Sequence, residues 1–180
     1  MEASKPVDEP RCAVVVMGVS GCGKSTVAAG IARALDLHFI DGDGLHAEPS
    51  IAKMRAGIAL QDEDRWPWLD AIGACLADAQ RWPRGLVVAC SALRRVYRDR
   101  IRAGASGVRF VFLDGPAELI GARMAARSGH YMPATLLASQ LRTLEPPGAG
   151  EADVQKIGIE LDAGEIVRRA VSAIRPDLAS

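Results

Sequence analysis

Residues 18–25 read Gly-Val-Ser-Gly-Cys-Gly-Lys-Ser, a full G-x-x-x-x-G-K-[ST] pattern, and they follow the apolar, β-branched run 12–17. A strand that feeds a glycine-rich turn and then an Ala-rich helix over 25–35 leaves few folds open. Glycines let successive backbone N–H groups converge on phosphate oxygens, Lys24 brings a mobile positive charge, and Ser25 offers a hydroxyl to Mg²⁺. The helix that follows points its partial positive charge at the same phosphates. The pattern therefore predicts nucleoside triphosphate binding, with Gly18, Val19, Ser20, Gly21, Cys22, Gly23, Lys24, Ser25 and Thr26 around the phosphates.

Apolar runs alternate with helical patterns along the rest of the chain. Strands are expected at 37–41, 86–90, 108–113 and 154–161. Helices are expected at 65–82, with Asp64 as N-cap and Pro67 in the first turn, and at 93–102, 117–126, 134–144 and 165–174. Strands without polar alternation, separated by helices, imply a five-stranded parallel sheet covered on both faces, an α/β three-layer P-loop kinase fold. Ligands of such sheets gather at the carboxyl ends of the strands.

With 180 residues and 49% apolar content, the chain suits one domain with a real core, 12–180, behind a flexible tail at 1–11. An acceptor flap is expected at about 44–64 and a lid at about 127–135. Lys plus Arg and Asp plus Glu both number 22, so no basic field advertises nucleic acid or an anionic membrane. Four cysteines without a C-x-x-C pair suit a reducing cytoplasm. Glu2, Asp8, Glu9 and two prolines near the start argue against a signal or transit segment, and no apolar stretch reaches membrane-spanning length.

Asp41-Gly42-Asp43 ends the second predicted strand. Two carboxylates one residue apart can divide the labour of phosphoryl transfer, Asp41 holding Mg²⁺ with Ser25, and Asp43 orienting the acceptor hydroxyl. The competing reading is an acidic turn with no further role. His46 suits a polar pocket residue, since His38, His46 and His130 have no metal spacing. Arg123 and Arg127, four apart at a helix end, precede Ser128-Gly129-His130, a turn that could hinge a lid over the nucleotide. A solvated helix end explains Arg123 equally well. Of the arginines after the third strand, Arg94, Arg95 and Arg98 are near enough to reach a ligand, and Arg65 suits a carboxylate fork.

These residues also carry a resemblance. The loop 18–25, DGDGLH (41–46), Lys53-Met54, Gly57, DEDRWPWL (62–69), CSALRRVYRD (90–99), RSGHYM (127–132), LLASQLRTLEPP (136–147) and Glu165-Ile166-Val167 together resemble the thermoresistant type of bacterial gluconokinase, in order over nearly the whole chain. The resemblance implies a nucleoside-monophosphate-kinase-like fold, a homodimer, and ATP-dependent phosphorylation of D-gluconate on its terminal hydroxyl. The chain departs from the family pattern at Ala47 and Ala59, where proline is common, and at Ser50, where asparagine is common. Taken with the motifs, Lys24, Asp43 and Arg127 are the expected catalytic residues. Arg65 and Arg98 are expected at the sugar-acid carboxylate, with Arg94, His46, Lys53, His130 and Gln140 as further substrate contacts. Shikimate kinase shares the loop, the D-x-D and the lid arginines, but this chain has Cys90-Ser91-Ala92 where that family has a Gly-Gly-Gly turn. A GTP-dependent switch lacks its N-K-x-D signature here, and nucleotide binding without turnover is the remote alternative.

Overall fold

Val14 and Val16 face one side of the sheet and Val15 and Met17 the other, all four without solvent exposure, because strand β1 (Cys12–Met17) lies at the middle of five parallel strands. The structure, a computed structural model, describes residues 12–78, 81–126 and 134–178. Strand order is β2-β3-β1-β4-β5, with β2 at His38–Asp41, β3 at Gly85–Ala89, β4 at Val108–Asp114 and β5 at Val154–Gly158. β1 pairs in register with both β3 (Val15 opposite Val88) and β4 (Val15 opposite Phe110). Continuous apolar runs are what a strand buried on both faces requires.

Each face of the sheet has its own core. On one side, Val14, Val16, Val87, Val111 and Leu113 meet helix α1 (Lys24–Leu35) through Val27, Ala28 and Ile31, and helix α7 (Ala163–Leu178) through Ile166, Ala170 and Ile174. On the other, Val15, Met17, Val88, Phe110 and Phe112 meet α3 (Asp62–Ala77) through Trp68, Leu69, Ile72 and Leu76, and α4 (Arg95–Gly104) through Tyr97 and Ile101. The spacings 68/69/72/76 and 97/101 are single helix faces. α3 and α4 approach closely at Gly73 and Gly104, where a side chain on either would meet the other's Cα at about 3 Å. The remaining helices are α2 (Glu48–Arg55), α5 (Ala117–Ala126) and α6 (Ala134–Thr143).

Three elements differ from expectation. Residues 44–64, where the sequence pattern predicts no helix, contain α2, and its buried Ser50 donates a hydrogen bond to the Asp64 carbonyl at 3.3 Å, tying it to α3. Helix α3 begins at Asp62 and ends at Ala77, with Gln61 as N-cap. Asp64 sits at N3, its carboxylate accepting from the Gln61 N–H at 2.9 Å. That reciprocal cap moves the start three residues upstream of the Asp64 cap read from sequence, and it leaves Pro67 inside the helix. Strand β5 stops at Gly158.

Candidate active site

The loop 18–25 turns tightly at the carboxyl end of β1 before α1 begins at Lys24. Gly18, Gly21 and Gly23 all have positive φ, at 144°, 82° and 97°. Gly21 also has no room for a side chain: a Cβ would lie 2.4 Å from Met124 Cγ of α5. In this conformation Lys24 Nζ donates to the Val19 carbonyl at 3.1 Å, which curls the side chain back over the loop. Cys22 is buried, and burial pushes its thiol up from the usual range, so it is an uncharged wall of the turn.

Asp41 connects this loop to the second acidic turn. One carboxylate oxygen accepts from the Ser25 hydroxyl at 3.0 Å, and the other accepts from the Asp43 N–H at 3.1 Å, capping a 3₁₀ turn over Gly42–Leu45. The turn is fixed from below, because Trp68 Nε1 donates to the Gly42 carbonyl at 2.7 Å and the His46 ring stacks on Trp68 with centroids 4.2 Å apart. Burial holds His46 below its ordinary pKa, and its Nδ1 is buried without a hydrogen-bond partner. Asp43 is therefore held by a neutral stacked imidazole and an indole, with its carboxylate exposed. The thiol of Cys90 at the end of β3, pushed up to about 12 by burial, feels the charges of Asp43, Lys24 and Asp41 together. The phosphate loop and both aspartates thus meet at one sheet edge.

Ser25 and Asp41 supply a hydroxyl and a carboxylate at hydrogen-bond distance. A hard-oxygen pair of this kind fits Mg²⁺, which binds through one or two protein oxygens while keeping waters and substrate phosphate oxygens.

Beside this edge lies a polar cleft of about 530 Å³ lined by residues that include Asp62, Arg65, Arg94, Tyr97, Arg142 and Glu145. Tyr97 donates to Asp62 at 2.6 Å, and this bond, with help from Arg94, holds the Asp62 carboxyl below the usual range. The guanidiniums of Arg65 and Arg94 lie 5.6 and 5.5 Å from the Tyr97 ring centre. Arg94 is compensated twice, by Asp62 at 2.6 Å and Glu145 at 3.1 Å. Glu145 also caps α4, accepting from the Arg95 N–H at 2.7 Å. Arg65 differs. Its Nη1 donates to the Leu60 carbonyl at 2.7 Å and to Tyr97 at 3.3 Å, with Asp62 only at 3.9 Å, and its Nε and Nη2 have no acceptor among the described residues.

Arg98 is a correction. Expected at the substrate carboxylate, it is wholly buried, forks onto Glu151 with two bonds of 2.7 Å, and spends Nη1 on the Ala92 and Leu93 carbonyls. A guanidinium with both edges occupied inside the protein has no face for a ligand. The Gln140 carboxamide, expected as a substrate contact, is bonded to Ser20 of the phosphate loop. Lys53 is paired with Asp64 at 2.6 Å, and Arg123 donates to the Ile159 carbonyl at 2.6 Å while its charge reaches Cys22. Arg127, His130 and most of the expected lid lie outside the described residues. Sequence reasoning missed Asp62, Tyr97, Arg142 and Glu145 as cleft residues. All four sit inside motif blocks, Asp62 in DEDRWPWL, Tyr97 in CSALRRVYRD, and Arg142 and Glu145 in LLASQLRTLEPP, but nothing in those blocks says that they share one cleft.

A parallel sheet with a phosphate loop after its central strand, a paired aspartate turn and a polar cleft alongside define a P-loop kinase. Residues 14–147 match the AAA domain family. The thermosensitive gluconokinase of Escherichia coli (strain K12) is 43% identical over 164 residues, 89% of this chain and 88% of that protein. The thermoresistant gluconokinase of the same strain is 40% identical over 161 residues, 89% of this chain and 92% of that protein. A crystal structure of a gluconokinase from Sinorhizobium meliloti 1021 superposes with a TM-score of 0.83 at 47% identity, covering 93% of this chain and 94% of that one. The chain belongs to the gluconokinase family.

Proposed function

We propose that this chain transfers the γ-phosphoryl group of ATP to the terminal hydroxyl of D-gluconate, giving 6-phosphogluconate and ADP. The observation that carries the choice of a sugar acid is Arg65, whose Nε and Nη2 are without an acceptor among the described residues, in a cleft where Arg94 is already neutralised. Two free N–H donors on one guanidinium edge match a carboxylate fork. Backbone N–H groups of Gly21 to Ser25 hold the β and γ phosphates, and Lys24, released from the Val19 carbonyl, follows the charge that grows on the transferring group. Asp43 accepts a hydrogen bond from the attacking hydroxyl and aims it, its backbone locked by Asp41 and Trp68. Ser25 and Asp41 hold Mg²⁺, which when bound neutralises charge on the phosphate oxygens. Arg127 is assigned to the same developing charge.

The family resemblance supports a homodimer, and four cysteines without a C-x-x-C pair support a reducing cytoplasm. No helix among the described residues is long and apolar enough to cross a membrane. ADP release measured with gluconate, glucose, shikimate and nucleoside monophosphates as acceptors tests the reading. Gluconate should exceed every other acceptor in kcat/KM by at least about a hundredfold. Faster turnover of shikimate or a nucleotide would replace it.

A further inference from the structure

Helix α6 reaches across the phosphate loop from 120 residues away in sequence and grips one residue at two points. Gln140 Oε1 accepts from the Ser20 backbone N–H at 2.6 Å, and Gln140 Nε2 donates to Ser20 Oγ at 3.0 Å. The carboxamide is delivered at a fixed height, because Leu137, one helical turn earlier on the same face, is buried in the core, and Leu141 and Leu144 pack against that core. The same turn is also packed by α5, whose Met124 and Ile120 fill the space where a Gly21 side chain would lie. The tip of the loop therefore touches two helices, packed by one and hydrogen-bonded by the other.

We propose that Gln140 is a positioning residue for the nucleotide, acting through Ser20, and that it sets ATP affinity rather than acceptor choice. The polarity of the bonds matters. Because Nε2 donates to Ser20 Oγ, the Ser20 hydroxyl proton is left free to donate elsewhere. An ATP phosphate oxygen is an acceptor of that proton. A glutamate of the same size would keep the bond to the Ser20 N–H, but it would draw the hydroxyl proton to itself and add a negative charge facing phosphates. The inference rests on residues 18–25 binding the nucleotide.

The test compares Gln140→Leu, Gln140→Glu, Ser20→Ala and the Ser20→Ala/Gln140→Leu double variant, reading the ADP dissociation constant by calorimetry, the KM for ATP, the KM for gluconate and Tm. Loss of two hydrogen bonds that preorganise the loop should raise the ATP KM and ADP dissociation constant about tenfold in Gln140→Leu, and by more in Gln140→Glu. The gluconate KM should stay within about twofold, and the double variant should be weaker than the wild type by less than the product of the single effects, because both changes remove the same contact. If Gln140→Leu does not fold, Gln140→Glu carries the test, since its size and its bond to the Ser20 N–H are retained. A raised gluconate KM with unchanged nucleotide binding would make Gln140 an acceptor contact and overturn the proposal, as would unchanged nucleotide binding in folded Gln140→Glu. Lys24→Ala is the control: if it too leaves nucleotide binding and turnover unchanged, the loop assignment fails and not the role of Gln140 alone.

Discussion

Replacing Arg98 with methionine should unfold this protein's margin of stability without touching its substrate. The guanidinium is 1% exposed and its partner Glu151 2%, and together they make two 2.7 Å bonds inside the protein, with two more to carbonyls at 3.2 Å. Breaking one half of a buried pair costs about 3–5 kcal/mol, mostly because the other charge stays buried. Here Arg102 still reaches Glu151 at 2.9 Å, so the lower end, about 3 kcal/mol, is expected. Against a total of roughly 5–15 kcal/mol, such a loss is visible as a large shift of the urea midpoint. The acid limb gives a second reading. Arg98 holds Glu151 down at about 2 from its usual 4.5. A depressed folded-state value means that the unfolded carboxylate takes up its proton first as pH falls. The pair's contribution is therefore complete above about pH 4.5 and drains away toward pH 2, and Arg98→Met should flatten that slope. Urea titrations from pH 7 to pH 3, with the gluconate KM measured on folded variant, decide the matter. A loss under about 1 kcal/mol, or a tenfold rise in gluconate KM with stability intact, would return Arg98 to the substrate and refute the structural role.

Lys24→Ala should lower kcat at saturating ATP by at least about a hundredfold with Tm preserved, checked by ADP release, because its charge is used as transfer proceeds. Asp43→Asn should reduce kcat far more than it changes the ADP dissociation constant, which stopped-flow turnover and calorimetry separate. Arg65→Ala should raise the gluconate KM well over tenfold and narrow the preference for gluconate over glucose, since losing a charge-assisted fork costs about 2–5 kcal/mol. Arg94→Ala should do less to that preference, its charge being already matched by Asp62 and Glu145.

The parts of the site carried by short-range pattern were legible in the sequence. Strand β1 and the loop after it are contiguous, as are the residues of the Asp41-Gly42-Asp43 turn, and Ser25 donates to Asp41 at 3.0 Å. Helix α2 was not legible, because Ser50 is its only buried residue and it has no apolar stripe to register as a period. The arginines at the cap and along α4 show the same limit in another form. Arg94, Arg95, Arg98, Arg100 and Arg102 look alike as letters, yet Arg98 lies on the Tyr97–Ile101 face and is buried only because Glu151, 53 residues away, waits there. Tyr97 and Ile101 mark that face in advance, but the partner that makes a buried arginine tolerable comes from tertiary structure. The bonds of Gln140 to Ser20 were illegible for a similar reason, that loop lying 120 residues upstream.

The phosphorylated product gives the most direct test of gluconate kinase activity. Incubation with ATP, Mg²⁺ and gluconate, followed by phosphorus–proton correlation NMR of the product, reports which carbon bears the phosphate. Coupling of the new phosphorus signal to the two terminal methylene protons, with one ADP formed for each gluconate consumed, is the expected result. ADP formed without loss of gluconate, or phosphate on any other oxygen of the sugar acid, would contradict it.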